Sequence, residues 1–415
     1  MNLSLFERCY GCQPDSQITE KARRLARLLV SDPPVYYDGL RMTLLEGVRP
    51  VTKVRTPSGE VREMLMLGSN SFLNLNFHPR VIEAERKAAE RFGSGAGSPP
   101  LYAGQTILHE ELESKVASFT GQEAALIFSA GYSGNIGVLS GLCRPGDVIL
   151  CDSSNHASLF DGARLSGAEV IPYLHLTPKH LEKQLKRLDP ARKGRLIVTD
   201  GVFSMEGSLA PVDDLVRLAD KYGCLLMVDD AHGFWAVGNN GLGTASVFGV
   251  RDSVDLHYGT FSKALGSVGG FCSGEKAVID YLRYYARSTF FSSAMPAVTV
   301  AAIIESMKVA EDEPERLANL NSNRVFFQRC LEECGFDTLG SRSPIVPILV
   351  GDDEKLGRFQ MDLFDAGIYT NIGTTPAINA SKCRLRLNVM ATHTIDQLDG
   401  AAHAIERLGK KHEVI

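Results

Sequence analysis

The stretch GTFSKALGSVGG, residues 259–270, places one lysine, Lys263, among small residues. A lysine usually lies on a solvated face, where its aliphatic stem covers neighbouring side chains. Here glycines and serines flank it and leave the stem little side chain to cover. Two interpretations are open at this point. The lysine is either incidental in an exposed turn, or its amine is kept at this position for chemistry.

Lys263 ends one of several short apolar runs that are separated by amphipathic helical segments. Such alternation indicates βαβ units and a mostly parallel sheet. The predicted strands are Ala124–Ser129, Asp147–Asp152, Arg195–Asp200, Cys224–Asp230 and Val254–Lys263. Polar residues recur where they end: Ser129, Asp152, Asp200, Asp229 and Lys263. Because open α/β sheets bind ligands at the carboxyl ends of their strands, the site is expected at this edge.

The pattern changes near Pro296, which indicates a second, smaller α+β unit. Its predicted elements are helical Val298–Phe336 with breaks, strand Ile345–Val350, helix Asp353–Ala366, strands Ile368–Ile372 and Arg384–Met390, and helix Thr394–Leu408. We therefore predict an N-terminal segment, 1–67, that packs on the small domain. A large catalytic domain, 68–297, and a C-terminal small domain, 298–415, complete the chain.

Composition limits the function classes. The 415 residues carry 44 basic and 49 acidic side chains, a net charge of −5, which gives no reason to expect a nucleic acid partner. No apolar run approaches the ~18 residues of a membrane span, and no secretory signal is found, so a cytoplasmic protein without integral membrane association is expected. The amphipathic stretch Ile18–Asp32 predicts a surface helix; a peripheral membrane or partner helix is the alternative.

The nine cysteines are odd in number and scattered, which indicates reduced thiols rather than a disulfide framework. Cys9 and Cys12 have the C-x2-C spacing of half a zinc site or of a redox motif. No second pair completes the site, so we interpret this pair as incidental and predict no metal.

The residues at the strand ends suit a pyridoxal 5'-phosphate (PLP) site. A lysine amine can form a Schiff base with the cofactor aldehyde, and an acid such as Asp229 in VDDAH can keep the pyridine nitrogen protonated. The turn after Ser129, residues 130–134, joins a strand to a helix, whose N-terminal N–H groups suit phosphate. Thr260 can add a hydroxyl, and His156 can cover one face of the ring. For VDDAH alone, a helix cap followed by a helix-start histidine remains the structural alternative.

The ordered motifs GYSGN, NHAS, DGVFSMEG, VDDAH and TFSKALG make the chain similar to the α-oxoamine synthases. These are fold-type I PLP-dependent enzymes that condense a small amino acid with an acyl thioester. The resemblance runs from about Asn70 to the C-terminus. It implies an α/β fold with a mostly parallel seven-stranded large-domain sheet and a smaller α+β C-terminal domain. It also implies a homodimer, with an amino acid and acyl-CoA or an acyl-carrier protein as substrates.

The resemblance further implies roles for individual residues. Lys263 would be the Schiff-base lysine and the general base at the substrate Cα. Four side chains would surround the cofactor ring: Asp229 at the pyridine nitrogen, His232 and Ser204 near the ring hydroxyl, and His156 stacked on the ring. Phosphate would be held by the backbone groups of Gly131 and Tyr132, by Thr260 and, from a neighbouring subunit, by Ser292 and Ser293.

Arg386 would grip the substrate carboxylate, with Asn70 beside it. A guanidinium suits a carboxylate because it binds it through two parallel hydrogen bonds. Arg384, two residues earlier on the same predicted strand, is the competing candidate.

Two segments depart from the family pattern. Pro99 stands about where an arginine is common and Pro100 follows it, and residues 71–75 read SFLNL where DYLGL is usual. Both segments lie near the substrate entrance in the family, so the substrates are open. Residues 155–170, the SMEG turn and residues 366–377 look most like soluble bacterial serine palmitoyltransferase, which makes a long-chain reaction with serine the leading expectation.

Synthases that use alanine or glycine are the alternatives: aminooxononanoate synthase, 2-amino-3-ketobutyrate CoA ligase or an enzyme of secondary metabolism. A fold-type I aminotransferase would reuse Lys263 and Asp229 without an acyl donor. A cofactor-binding regulator would need a DNA-binding module, for which the first ~60 residues show no signal.

Overall fold

A computed structural model describes residues 19–31, 41–192, 194–375 and 378–415. Cys9 and Cys12 lie outside the described residues. The strands are β1 Thr43–Leu44, β2 Val51–Arg55, β3 Val61–Met66, β4 Ala124–Phe128, β5 Val148–Asp152, β6 Glu169–Tyr173, β7 Arg195–Asp200, β8 Leu225–Asp229, β9 Leu256–Thr260, β10 Gly270–Gly274, β11 Ile345–Leu349, β12 Ile368–Tyr369, β13 Asn371–Gly373 and β14 Arg384–Asn388.

Helices of ten residues or more alternate with these strands. They span Glu20–Ser31, Pro79–Phe92, Ile107–Thr120, Gly131–Leu142, Ala157–Ser166, Val212–Tyr222, Lys276–Tyr285, Ala297–Asp312, Glu315–Glu333, Asp353–Asp365 and Ile395–Lys411. Shorter α-helices are Pro178–Leu185, Thr244–Val247 and Arg287–Phe290.

Seven strands form the largest sheet, in the order β4-β10-β9-β8-β7-β5-β6. Neighbours pair in parallel except around β10, which runs antiparallel to both β4 and β9. Six strands therefore point the same way, and their carboxyl ends share one edge. The mostly parallel seven-stranded sheet of the expected fold is confirmed.

The inner strands form because their side chains are apolar on both faces. Val148, Ile149 and Leu150 of β5 are fully buried, as parallel strands covered by helices on both sides require. One strand is shorter than expected. We predicted Val254–Lys263 with the lysine at its end, but β9 ends at Thr260 and Lys263 lies in the loop that returns to β10. The strand ends there because residues 261–267 form a turn, in which Gly266 donates its N–H to the Lys263 carbonyl and Ser267 donates its N–H to the Phe261 carbonyl.

Two smaller sheets contain the strands that lie outside residues 124–274. One joins β1, β2 and β3 to β12, and β3 pairs with β12 in parallel through Leu65–Ile368 and Met66–Tyr369. The other has the order β11-β14-β13. Helices 353–365 and 395–411 cover a separate hydrophobic cluster that includes Phe359, Leu385 and Ile405. The division of the chain at residues 67 and 297 stays a prediction.

The predicted helix near the N-terminus is present as Glu20–Ser31, and none of residues 20–30 is buried. No helix among the described residues is long and apolar enough to cross a bilayer. The cysteines in the described ranges are all free thiols.

Candidate active site

A cavity of about 380 Å³ opens at the carboxyl edge of the large sheet. It lies where β7, β8 and β9 end beside the first turn of helix 131–142, and β14 closes it from the C-terminal side. Ten of the predicted site residues line it: Asn70, Gly131, Tyr132, His156, Ser204, Asp229, His232, Thr260, Lys263 and Arg386. Ser292 and Ser293 do not.

A larger cavity, about 830 Å³, lies elsewhere, between residues 235–242 and helix 315–333. Its walls include Phe119, Trp235 and Arg324, but none of the predicted site residues. The smaller cavity is the one that combines an amine, acids and imidazoles, so size does not identify the active site here.

Among the described residues that line the cavity, Lys263 is the only lysine. Burial lowers the pKa of its amine to about 8, against the opposing effect of the Asp229 and Asp200 carboxylates. An amine with such a pKa is uncharged far more often near neutral pH than a surface lysine. An uncharged amine is what nucleophilic attack on an aldehyde requires.

Asp229 is held by a hydrogen-bond chain that sequence reasoning missed. Asn135 donates through Nδ2 to Asp229 Oδ2 at 2.7 Å and to Ser158 Oγ at 2.9 Å. Ser158 Oγ lies 2.7 Å from His156 Nδ1. The chain therefore links the acid at the base of the cavity to the imidazole at its mouth. Asn135 follows Gly131 by one helical turn, a spacing that faces both residues toward the sheet.

His232 is buried behind Lys263, and its Nδ1 has no hydrogen-bond partner among the described residues. Burial, with the charges of Lys263 and Arg386, lowers its pKa well below the ordinary value, so the ring is neutral. A buried polar atom without a partner is unusual in a folded protein. It indicates that a bound group completes this hydrogen bond.

Asp200 was recognised as a strand-end acid but given no role, although it lines the cavity. Its carboxylate accepts the backbone N–H of His156 at 3.2 Å. Burial and the charge of Asp229 raise the pKa of Asp200 well above the ordinary range. Burial also lowers the pKa of His156. Asp200 therefore fixes the backbone that presents the His156 ring.

Gly131 makes room at the start of helix 131–142. A Cβ added there would lie 2.4 Å from Thr260 Cγ2, so only glycine permits this approach of helix to strand. Thr260 is 8% exposed and lines the same wall. The start of this helix and Thr260 thus share one wall of the cavity, where an anion can bind. The Tyr132 hydroxyl donates to Asp161 instead of pointing to this cradle.

Arg386 lies across the cavity from the helix, 6% exposed. Its Nε donates to the Ser204 carbonyl, and its Nη2 donates to Asn70 Oδ1 at 3.0 Å. Burial lowers its pKa to about 10, which leaves it cationic at neutral pH. No carboxylate of the described residues pairs with it. Arg384, the competing candidate, is paired with Glu206 at 3.7 Å and does not line the cavity.

Ser292 and Ser293 lie away from the cavity on an exposed segment after helix 287–290. The Ser293 carbonyl accepts a hydrogen bond from Ser129 at 2.8 Å, which anchors this segment next to β4. Of the two departures from the family pattern, Pro100 begins a short π-helical turn, Pro100–Gly104. Ala377, the last residue of the stretch 366–377, lies outside the described residues.

The residues present fit PLP by three observations of this structure. Lys263 offers an amine with a lowered pKa, Gly131 and Thr260 form a cradle that a Cβ would fill, and His232 has a buried nitrogen without a partner. These are the parts that an aldehyde, a phosphate and a ring hydroxyl need.

Comparison with known proteins agrees with this geometry. The family model for aminotransferase class I and II matches residues 62–405. The chain belongs to this family. Among its relatives, a serine palmitoyltransferase of Sphingobacterium spiritivorum is 42% identical over 353 residues, which cover 85% of this chain and 88% of that protein. An 8-amino-7-oxononanoate synthase of Thermoanaerobacter pseudethanolicus is 38% identical over 372 residues, covering 88% and 94%.

The fold comparison points to the same group. A serine palmitoyltransferase solved with PLP has a TM-score of 0.89 and 30% identity, covering 96% of this chain and all of that one. Within the aminotransferase class I and II family, the chain therefore groups with the α-oxoamine synthases. The expected family and the fold-type I architecture are confirmed. The roles of individual site residues stay predictions that the geometry supports.

Proposed function

We propose that this chain is a PLP-dependent α-oxoamine synthase. It condenses a small amino acid with an acyl thioester and releases CO2, a free thiol and an α-amino ketone. The observation that carries the proposal is that Lys263 and Arg386 line the same cavity. Arg386 is a buried cation with no carboxylate partner among the described residues, and a substrate carboxylate would satisfy it.

The chain's own residues would hold PLP as follows. Lys263 would bind it covalently, Asp229 would hold the proton on the pyridine nitrogen, and His156 would cover one face of the ring. Gly131 and Thr260 would receive the phosphate, and His232 and Ser204 would hydrogen-bond around the ring hydroxyl. When bound, PLP supplies an electron sink for negative charge at the substrate Cα.

Arg386 sets the orientation of the amino acid. Its fork binds the carboxylate, with Asn70 and the Ser204 carbonyl holding the guanidinium in place. A fixed carboxylate fixes the direction of the Cα–H bond. Once the substrate amine has displaced Lys263 from the cofactor, the freed Lys263 amine removes this proton, and its pKa of about 8 suits a group that must accept and release protons near neutral pH.

The structure also supports a homodimer as part of the proposal. Ser292 and Ser293 are exposed and lie beside the end of the edge strand β4, where a second copy could receive them at its phosphate site. We expect the protein to act in the cytoplasm with acyl-CoA or an acyl-carrier protein as donor.

Serine with a long-chain acyl donor is the leading substrate pair, because residues 155–170 resemble soluble bacterial serine palmitoyltransferase and a serine palmitoyltransferase is among the relatives. Alanine or glycine is the alternative, because 8-amino-7-oxononanoate synthases are related to this chain at similar identity.

The test is a matrix of serine, alanine and glycine against short and long acyl-CoA donors, with thiol release as the readout. We expect one amino acid to support thiol release in wild type and none in Lys263→Ala. Release of a keto acid without thiol would instead indicate an aminotransferase. No thiol with any pair, in protein that retains PLP, would refute the proposal.

A further inference from the structure

A chain of charged side chains connects the large sheet to the C-terminal sheet beside the cavity. Asp152 ends β5, His175 follows β6, Glu206 lies in the turn after β7, and Arg384 begins β14. Asp152 Oδ1 is hydrogen-bonded to His175 Nδ1 at 2.9 Å. The next two contacts are ion pairs without hydrogen-bond geometry: His175 Nε2 is 3.3 Å from Glu206 Oε1, and Glu206 Oε2 is 3.7 Å from Arg384 Nη1. None of the four lines the cavity.

The imidazole of His175 occupies the centre of this chain. Burial opposes a charge on the ring, but Asp152 and Glu206 outweigh burial and raise the pKa to about 9. Phe203 packs edge-on against the ring at 4.3 Å between centroids. With His175 protonated, the two carboxylates, the imidazolium and the Arg384 guanidinium sum to zero charge.

The backbone around His175 is held in the geometry that this chain needs. Leu176 has φ of 50°, in the left-handed region that non-glycine residues rarely adopt. Its N–H donates to Asp152 Oδ2 at 3.0 Å, while Ser154 donates its N–H to Asp152 Oδ1 at 2.8 Å. A strained position persists only where its surroundings fix it, and such positions are frequent at functional sites.

The turn that carries Glu206 also touches the proposed substrate arginine. Gly207 N–H donates to the Phe203 carbonyl at 2.8 Å and closes this turn. Ser204 and Glu206 are two residues apart in this turn, as Arg386 and Arg384 are in β14. The Ser204 carbonyl accepts a hydrogen bond from Arg386, and the Glu206 carboxylate pairs with Arg384. Whatever fixes Glu206 therefore also fixes the Ser204 carbonyl that accepts from Arg386.

We propose that His175 is a positioning residue: its imidazolium completes a neutral chain with Asp152, Glu206 and Arg384, and this chain orients Arg386 through the Ser204 turn. The inference rests on the proposed function of Arg386 in binding the amino acid carboxylate. It adds His175, a residue outside the cavity wall, and assigns its charge a role in the affinity for the amino acid.

The pH dependence follows from the groups that face the chain. Asp152 and Glu206 face His175, and Arg384 and Lys382 act on Glu206. Because the folded pKa of His175 lies above the unfolded 6.5, its stabilising charge is fully present below about 6.5. It is lost as pH rises through about 9, where the chain acquires net negative charge. The turn should loosen and the amino acid KM should rise.

The experiment compares wild type with His175→Gln in two measurements. We expect the KM for the amino acid to rise on the order of tenfold in the variant because Arg386 is misplaced, while kcat changes by less than about twofold. Titration of the substrate amine changes KM equally for both proteins, so the additional rise of KM through pH 9 that comes from His175 should be seen in wild type alone. Hydrogen–deuterium exchange of residues 201–209, measured without substrate, should be faster in the variant.

His403→Gln is the matched control, since His403 lies exposed on helix 395–411 beside Asp399. It should leave KM and exchange unchanged. Glu206→Gln is a second variant in case His175→Gln does not fold, and it should raise KM and exchange in the same direction. Unchanged KM and unchanged exchange in a folded variant would overturn the inference.

The exchange measurement also separates this inference from the proposed function. If no amino acid supports thiol release in wild type, the proposed function fails. Exchange of residues 201–209 would still show whether His175 fixes the turn.

Discussion

The phosphate cradle at Gly131 yields a prediction that can be worked from the structure. In Gly131→Ala, the new Cβ would lie 2.4 Å from Thr260 Cγ2. Two carbon atoms normally approach to roughly 3.5 Å, so one side must move by about 1 Å. Thr260 cannot turn away easily, because it is buried at the end of β9 and its side chain is β-branched.

Such overpacking costs about 1–3 kcal/mol. The start of helix 131–142 and Thr260 are the proposed phosphate site, and the new Cβ displaces them. The Kd for PLP should therefore rise by roughly fivefold to 150-fold. The assay is a titration of PLP-free protein with PLP, followed by visible absorbance.

Two matched variants make the result specific. Gly400→Ala adds a Cβ on helix 395–411 where no atom lies within 4 Å, so it should leave the Kd unchanged and stabilise the helix by up to ~1 kcal/mol. Thr260→Ser removes the clashing methyl but keeps the hydroxyl. Combined with Gly131→Ala, it should recover most of the affinity. Wild-type affinity in Gly131→Ala, or no recovery in the double variant, would refute the assignment of the cradle.

Three further predictions concern the other parts of the site. Arg386→Lys keeps the charge but loses the two parallel hydrogen bonds of the guanidinium, so the KM for the amino acid should rise about tenfold or more. The exposed control Arg358→Lys should leave this KM unchanged. Equal KM values in both variants would exclude Arg386 as the carboxylate partner. Because burial lowers the pKa of Lys263 to about 8, the rate of covalent PLP attachment should increase as pH rises through 8 and then level off, whereas an inflection near 10 would mean that the amine is not desolvated. Asn135→Ala removes the 2.7 Å hydrogen bond to Asp229, so it should shift the visible spectrum of bound PLP and speed the loss of PLP. An unchanged spectrum would show that Asn135 does not act on the cofactor through Asp229.

The strands that the sequence predicted are those whose apolar runs are uninterrupted. β5, β7 and β8 are buried on both faces, so their sequences are unambiguous. β10 was missed because GFCSG is rich in small residues and reads as part of the lysine loop. β6 was missed because it carries Pro172, which its place at the edge of the sheet tolerates.

At the site, motif order predicted which residues line the cavity, but contact details needed the fold. Lys263 was expected at a strand end and lies three residues past it. Asn135 was part of a quoted motif, yet its bond to Asp229 joins residues 94 positions apart. Arg384 and Arg386 could not be separated by sequence, because only the turn at Ser204 and Glu206 gives them different partners.

The central claim is that carboxylate loss and thiol release belong to one reaction, and isotope tracing measures this directly. The protein is supplied with PLP, an acyl-CoA and the preferred amino acid labelled with ¹³C at C1 or at C2. We predict that the C1 label leaves as ¹³CO2 in a one-to-one ratio with free thiol, while the C2 label is retained in an amino ketone. Recovery of both labels in a keto acid, without thiol, would contradict the account.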